Sequence, residues 1–253
     1  SQHDVSSIIQ DSEGFVWIGT YDGLNRFDGY KVENFFHDNT TSSLSSNRIL
    51  SLFEDQKKRI WIGTDGYGLN YYSLKKGTIT RVSVPNNFEI INSIKQTADG
   101  TFLISTTVGL FKLIEKENEF YYEIVQSPLT GLSVKQIVIL KNGNILFATD
   151  TGIWKKQQDK FSLIKGSDYL FFRTINETSK GEIWAGGTSG LFQIVDNAIV
   201  SKQNSINSNL FAIIEGTNND LWLSTFDDGL LRVHLANMTV ANVDASNDVN
   251  QFS

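Results

Sequence analysis

The residues that most often carry chemistry are few here and poorly spaced for it. The three histidines, His3, His37 and His234, lie far apart, and none sits in a metal-ligand spacing such as HExxH. There is no G-x-S-x-G elbow for a nucleophilic serine. There is no cysteine, hence neither thiol chemistry nor a disulfide, and either redox compartment is compatible. No catalytic residue, metal site or cofactor is expected. Side chains suited to binding are better placed. Tyr21, Asp22, Asp65, Tyr67, Asp150, Ser189, Phe226, Asp227 and Asp228 fall in one class of short loop, and Asn47, Arg48, Ser133 and Lys135 in a class of polar link. Aromatics beside carboxylates and amides suit a sugar, because a ring stacks on its CH face while polar groups bond its hydroxyls. The candidate ligand-binding set is Tyr21, Asp22, Arg48, Asp65, Tyr67, Asp150, Phe226 and Asp227. For most of these aspartates turn chemistry at Asp-Gly is the stronger account. Tyr67 and Phe226 stand where the other units have small residues. Trp154 follows Gly152-Ile153 where other units have Asn, Phe or Leu, and core packing accounts for it best.

The elements that must position these loops come from one phrase repeated six times. Trp17-Ile18-Gly19-Thr20, Trp61-Ile62-Gly63-Thr64, Leu103-Ile104-Ser105-Thr106, Leu146-Phe147-Ala148-Thr149, Trp184-Ala185-Gly186-Gly187 and Trp222-Leu223-Ser224-Thr225 recur at intervals of about 40 residues. A second anchor follows each, at Gly23-Leu24, Gly68-Leu69, Gly109-Leu110, Gly152-Ile153, Gly190-Leu191 and Gly229-Leu230. A third precedes each by three residues, at Gly14, Lys58, Gly100, Gly143, Gly181 and Asn219, where a tight hairpin is expected. An apolar run opens each unit, at Val5–Gln10, Ile49–Phe53, Ile91–Gln96, Gln136–Leu140, Phe171–Asn176 and Leu210–Glu215. A weaker fourth run closes it, and Ser/Asn-rich links lead onward. Both prolines, Pro85 and Pro128, fall in those links.

Runs such as Ile60-Trp61-Ile62 show no alternation, so these strands are expected to be buried on both faces. Four-stranded sheets of about 40 residues packed face to face are the blades of a β-propeller, an arrangement that also protects sheet edges. A β-solenoid is the rival architecture, but its rungs are shorter and lack four runs each. The expected fold is all-β, a β-propeller of four-stranded antiparallel blades with six repeats. The blades are read at about 5–36, 47–84, 90–125, 134–164, 170–202 and 209–243, with 244–253 a tail or the start of a further blade. Trp61 and Gly63 are two apart and share a strand face. A large ring beside a missing side chain is expected to let the next blade come close. The Thr64 hydroxyl is expected to bond a loop backbone. The glycine of Gly-Leu is expected at positive φ, with its leucine turned into the core.

The chain has 253 residues, 40% of them hydrophobic, and a net charge of −6. An acidic chain without Lys/Arg runs argues against nucleic acid or an anionic membrane surface as partner. No apolar run reaches the roughly 18 residues that span a bilayer. The chain begins at Ser1 with no initiating Met, and is read as a piece of a longer protein.

The phrase around WIGT and Gly-Leu resembles the two-component regulator propeller repeat. Asp11 through Tyr30 looks like one such repeat, and Asn47–Ser73 is similarly close. Units three and four depart, with Leu103 and Leu146 in place of Trp and with Ser105 and Ala148 in place of Gly. The resemblance implies a non-catalytic periplasmic sensor or scaffold propeller, part of an inner-membrane hybrid two-component protein that responds to oligosaccharides. It implies a seven-bladed parent propeller, so six blades here form an arc or ring, with Asp248–Phe252 resembling the opening of another unit. In an open arc, blades one and six would expose apolar faces. It implies as partners the other domains of the same chain, a homodimer mate and an oligosaccharide. Two other functions stay open: a propeller lyase or hydrolase acting on glycans, since fold alone does not exclude an enzyme, and a propeller that only docks protein.

Overall fold

The structure, a computed structural model, describes residues 4–38, 40–83, 90–117, 119–202 and 206–243. It contains six four-stranded antiparallel sheets, each a meander of consecutive strands, as the repeat requires. Blade 1 is β1 (Val5–Gln10), β2 (Val16–Thr20), β3 (Gly23–Phe27) and β4 (Val32–Phe35). Blade 2 is β5 (Ile49–Glu54), β6 (Arg59–Thr64), β7 (Leu69–Ser73) and β8 (Thr78–Val82). Blade 3 is β9 (Ile91–Gln96), β10 (Phe102–Thr106), β11 (Gly109–Lys116) and β12 (Glu119–Ile124). Blade 4 is β13 (Val134–Ile139), β14 (Ile145–Thr149), β15 (Gly152–Gln157) and β16 (Lys160–Leu163). Blade 5 is β17 (Phe172–Glu177), β18 (Ile183–Gly187), β19 (Gly190–Val195) and β20 (Ala198–Lys202). Blade 6 is β21 (Leu210–Glu215), β22 (Asp220–Thr225), β23 (Leu230–His234) and β24 (Thr239–Val243), with a 3-10 turn at Thr217–Asn219. The chain divides into two compact units at Ile137/Val138.

The third anchor is a turn position because its residue must take positive φ. Gly14, Lys58, Gly100, Gly143, Gly181 and Asn219 all do, with Lys58 at 59° and Asn219 at 64°. The amide of the residue three before each glycine or lysine donates across the hairpin and its carbonyl accepts from the turn. In blade 2, Asp55 N donates to Arg59 O at 3.0 Å and Lys58 N to Asp55 O at 2.9 Å, and the same pair recurs in blades 1, 3, 4 and 5. The second anchor behaves as its composition suggests. All six of its glycines have positive φ, and Thr20, Thr64, Thr106, Thr149 and Thr225 each donate a hydroxyl hydrogen bond to the carbonyl of that glycine.

Two blades meet where a side chain is missing. A Cβ built on Gly63 would lie 2.6 Å from Ile91 Cγ2, on the first strand of blade 3. One on Gly19 would lie 2.6 Å from Ile49 Cγ2 of blade 2, and one on Gly186 would lie 2.9 Å from Leu210 Cδ1 of blade 6. The residues two before these glycines, Trp17, Trp61 and Trp184, are buried. β6, β10 and β14 are buried nearly throughout, in agreement with their lack of alternation. Hydroxyls stitch the same seams: Ser6 Oγ donates to Ile49 O at 2.6 Å and Ser51 Oγ to Ile91 O at 3.1 Å.

Unit 1 (blades 1 to 3 and the start of β13) builds its outer core on an aspartate–indole pair. Asp55 Oδ2 accepts from Trp61 Nε1 at 2.7 Å, while its Oδ1 accepts from the amides of Lys57 and Arg59, both at 2.9 Å. Asp11 repeats this with Trp17 at 2.7 Å and with the amides of Glu13 and Phe15. Around Trp61 stand Phe102 at 4.9 Å, Tyr71 at 5.3 Å and Phe120 at 5.3 Å. The Arg59 guanidinium covers Trp61 at 5.1 Å and is held by Asp55 at 2.6 Å and by both oxygens of Glu115. Burial alone would raise the Glu115 pKa. Hydrogen bonds from Arg59 and Lys57 outweigh it and hold the carboxyl below the ordinary 4.5.

Sequence and structure differ at the start of blade 4. The first strand of blade 4 begins at Val134, two residues before the Gln136–Leu140 run. The Ser-Val-Lys stretch reads as polar link, yet Val134 is buried, so Lys135 belongs to a strand rather than a link. Blades 1 and 6 each carry uncovered apolar residues. Ile8 on β1 is 60% exposed where its counterpart Leu52 is buried, and Leu230 on β23 is 36% exposed where Leu69 is buried. The Asp248–Phe252 segment lies outside the described residues. No helix among the described residues is long and apolar enough to cross a membrane.

Gly63→Ala should therefore destabilise the fold by about 1–3 kcal/mol, since overpacking forces backbone shifts. Equilibrium denaturation checks this. The Glu115 contribution has a definite sign in pH. A depressed carboxyl pKa stabilises above the unfolded value, and the effect is lost as pH falls through the folded one. The stability gap between the parent and Glu115→Gln should be widest at neutral pH and shrink below pH 4.5.

Candidate functional site

The loops after the second strand of each blade and the links between blades hold the sequence-nominated residues. In unit 1 three of them converge. Arg48 lies in the link before β5, Tyr21 in the β2–β3 loop and Asp65 in the β6–β7 loop. The Arg48 guanidinium sits 5.0 Å over the Tyr21 ring and pairs with Asp65 Oδ2 at 2.9 Å. Backbone bonds fix the backbone of all three: Asp65 N donates to Arg48 O at 2.9 Å, Tyr21 N to Asp4 O at 3.3 Å, and Gly23 N to Asn47 O at 2.8 Å. The cluster offers a cation, a carboxylate and a ring, a set suited to holding a polar ligand. Asp22 is exposed, and its backbone N–H donates to Thr20 Oγ1 at 3.0 Å, which is turn chemistry. Tyr67 projects at 69% exposure from the same loop as Asp65.

Unit 2 presents a second group. Phe226, in the β22–β23 loop, is 68% exposed and stacks on Phe211 at 5.9 Å and 27°. The Arg173 guanidinium lies 4.7 Å over Phe211 and 4.8 Å over Phe171, so one cation contacts two phenyl rings. Phe226 N donates to Asn209 O at 3.0 Å, and the neighbouring Asp228 carboxylate accepts from Ser208 Oγ. Asp227 is exposed at the loop tip. Asp150 is half-buried, and its Oδ1 has no hydrogen-bond partner among the described residues. Sequence reasoning missed Phe171, Arg173 and Phe211, which lie in and beside first strands. Their only signal is Phe-Phe-Arg at residues 171–173, an apolar-to-cation step inside a strand run. Trp154 pairs across the sheet with Phe147 and Leu163 and is half-buried, in keeping with a packing role.

For chemistry, His234 Nδ1 lies 2.7 Å from Asp220 Oδ1, with Arg232 Nε 3.7 Å from Asp220 Oδ2, all on β22 and β23. This pair stands at the far end of β22 from Phe226. No group of three or more His, Asp or Glu side chains among the described residues is arranged to hold a metal ion.

Exposed ion pairs contribute little to stability. Asp65→Ala should change unfolding stability by about 0–1 kcal/mol and leave the fold intact, as circular dichroism and a thermal melt would show.

The comparisons with known proteins bear on the whole chain. No curated protein matches the sequence. Two solved structures that share the fold are extracellular domains of putative hybrid two component systems from B. thetaiotaomicron. One is 20% identical with a TM-score of 0.80 over 98% of this chain, the other 22% identical with 0.79 over 96%. The chain spans 36% of the length of each. A third is a catalytically inactive virginiamycin B lyase from Staphylococcus aureus with quinupristin, 14% identical with a TM-score of 0.77 over 98% of this chain and 87% of that one. These likenesses establish the β-propeller fold. The family model for the two-component regulator propeller matches residues 1–22 and 43–66, which cover the first two copies of the Trp-x-Gly-Thr phrase.

Proposed function

We propose that this chain is a ligand-responsive, non-catalytic propeller on the periplasmic side of a hybrid two-component signalling protein, and that it answers to oligosaccharides. The observation that carries the reading is the joining of two-component regulator propeller repeats to a fold shared over nearly the whole chain with extracellular domains of such systems. The exposed phenyl pair Phe211 and Phe226 beside Asp227, and the Tyr21–Arg48–Asp65 cluster, supply ring faces and polar groups of the kind sugars use. Binding would bias the packing of this propeller against other domains of the same chain, or against a second copy, and the bias would pass to a kinase.

A glycan array followed by calorimetry tests the proposal. An oligosaccharide should bind, and Phe226→Ala should weaken it about tenfold, the usual loss for an aromatic anchor. No response to any polysaccharide fragment would overturn it. A second reading, a propeller lyase or hydrolase, is favoured by the likeness to virginiamycin B lyase and by the His234–Asp220 pair. Incubation with mixed oligosaccharides separates the two, since new reducing or unsaturated ends would appear only under the enzymatic reading.

A further inference from the structure

The six repeats give an internal standard for what should fill the wedge between neighbouring blades. In the wedge of blades 2 and 3 the filling is aromatic: Trp61, Tyr71, Phe102 and Phe120 meet within 6 Å of one another where their contacts are closest, and Arg59 closes the top. The wedge of blades 4 and 5 lies wholly within unit 2 and has the same backbone register. Leu146 pairs with Lys155 as Trp61 pairs with Tyr71, and Ile183 pairs with Ile194 as Phe102 pairs with Leu113. By that register Leu146 replaces the indole, Lys155 the phenol ring and Ile183 the phenyl ring. Leu140 stands where Asp55 accepts the indole N–H, and Asn144 stands where Arg59 caps it. The aromatic filling is thus replaced by smaller aliphatic and polar groups on an unchanged frame.

The consequence is a cavity of about 210 Å³ at this wedge. Its floor is aliphatic, formed by Leu140, Leu146, Ile164, Ile183 and Ile194. Its mouth is polar, with Asn142, Asn144, Asp196 and the Lys155 ammonium, which donates to Asn197 Oδ1 at 2.8 Å. An engineered apolar cavity of roughly 150 Å³ holds a benzene ring, whereas pockets for drug-sized ligands start near 300 Å³. The volume therefore suits one ring or two fused rings.

We infer that this wedge is a binding site for a small planar aromatic molecule with one polar edge, of the indole class, seated where blade 2 places its own tryptophan. The aliphatic floor takes the ring, and the amides and charges at the mouth take the polar edge. The site opens at the hairpin end of β14, whereas Asp150 lies at the other end of that five-residue strand, about 17 Å away. It is separate from the rim residues nominated for sugar, and does not depend on that proposal.

Indole is the probe, measured by calorimetry and by saturation-transfer NMR on the protein. A ligand of this size should bind with a Kd of about 0.1–1 mM. Leu146→Trp supplies the missing indole covalently. It should weaken indole binding at least about tenfold and raise Tm by a few degrees, as cavity filling does. Ile183→Phe fills the same space from the facing blade and keeps the test decisive if Leu146→Trp fails to fold. Absence of indole binding at 10 mM, on the order of ten times the weakest expected Kd, would overturn the inference. So would an indole affinity unchanged in both folded variants.

Discussion

The close approach of one sheet to the next, at the residue two after the tryptophan, is the constraint on which this fold depends. Gly19, Gly63 and Gly186 each leave room for a β-branched or branched side chain on the first strand of the following blade, and a Cβ there would fall within about 3 Å of it. Close packing at native density then leaves each wedge a set volume. The tryptophan two residues earlier on the same strand face is buried in that wedge, so something of comparable bulk is needed to fill the space it occupies. Turns, threonines and hydroxyl stitches all serve the same spacing. Ser6 and Ser51 reach the next blade's backbone only because the strands come this close.

The period, the strand count and the turn chemistry were legible because they rest on local rules. A position that must take positive φ selects Gly or Asn, so the third anchor can be read without knowing any neighbour. Lys58 shows the limit of that rule: it adopts φ 59° because the Asp55 carboxylate and carbonyl hold the turn around it. What the sequence did not disclose is non-local. Arg48 and Asp65 were nominated as separate loop residues, and their placement over Tyr21 depends on how the open end of blade 2, which holds both, faces a loop of blade 1. The Phe171–Arg173–Phe211 cluster was invisible for the same reason, since its members belong to two blades some 40 residues apart. The blade-4 bound at 134 was legible, but the first run was started two residues late, at Gln136, because a serine and a lysine flank Val134 and a single buried side chain produces no periodicity.

The aspartate six residues before the tryptophan explains why some repeats match the family phrase and others drift. In blades 1 and 2 one carboxylate satisfies the indole N–H and two turn amides at once, so the Asp and the Trp are coupled and neither changes cheaply. Removing one partner would leave buried donors unsatisfied. Where the aspartate is gone the coupling is gone. Blade 5 has Thr178 at that position, and the Trp184 Nε1 is buried with no partner among the described residues. Blade 4 has Leu140 and has lost the tryptophan as well.

The drifting blades keep a different polar contact, made between blades rather than within one. Glu177 accepts from the Lys141 amide at 2.8 Å and Glu215 from the Ser179 amide at 2.6 Å, each reaching from the end of a first strand to the preceding hairpin. Blades 1 and 2 make the same contact through Glu54 and Gln96, at 2.8 and 2.9 Å. This latch acts on backbone amides and is therefore indifferent to the side chains that fill the wedge beneath it. A fold secured in that way tolerates an exchange of Trp61-like rings for Leu146-like side chains without losing its frame. The same tolerance lets one wedge be a solid aromatic core and another a cavity of about 210 Å³.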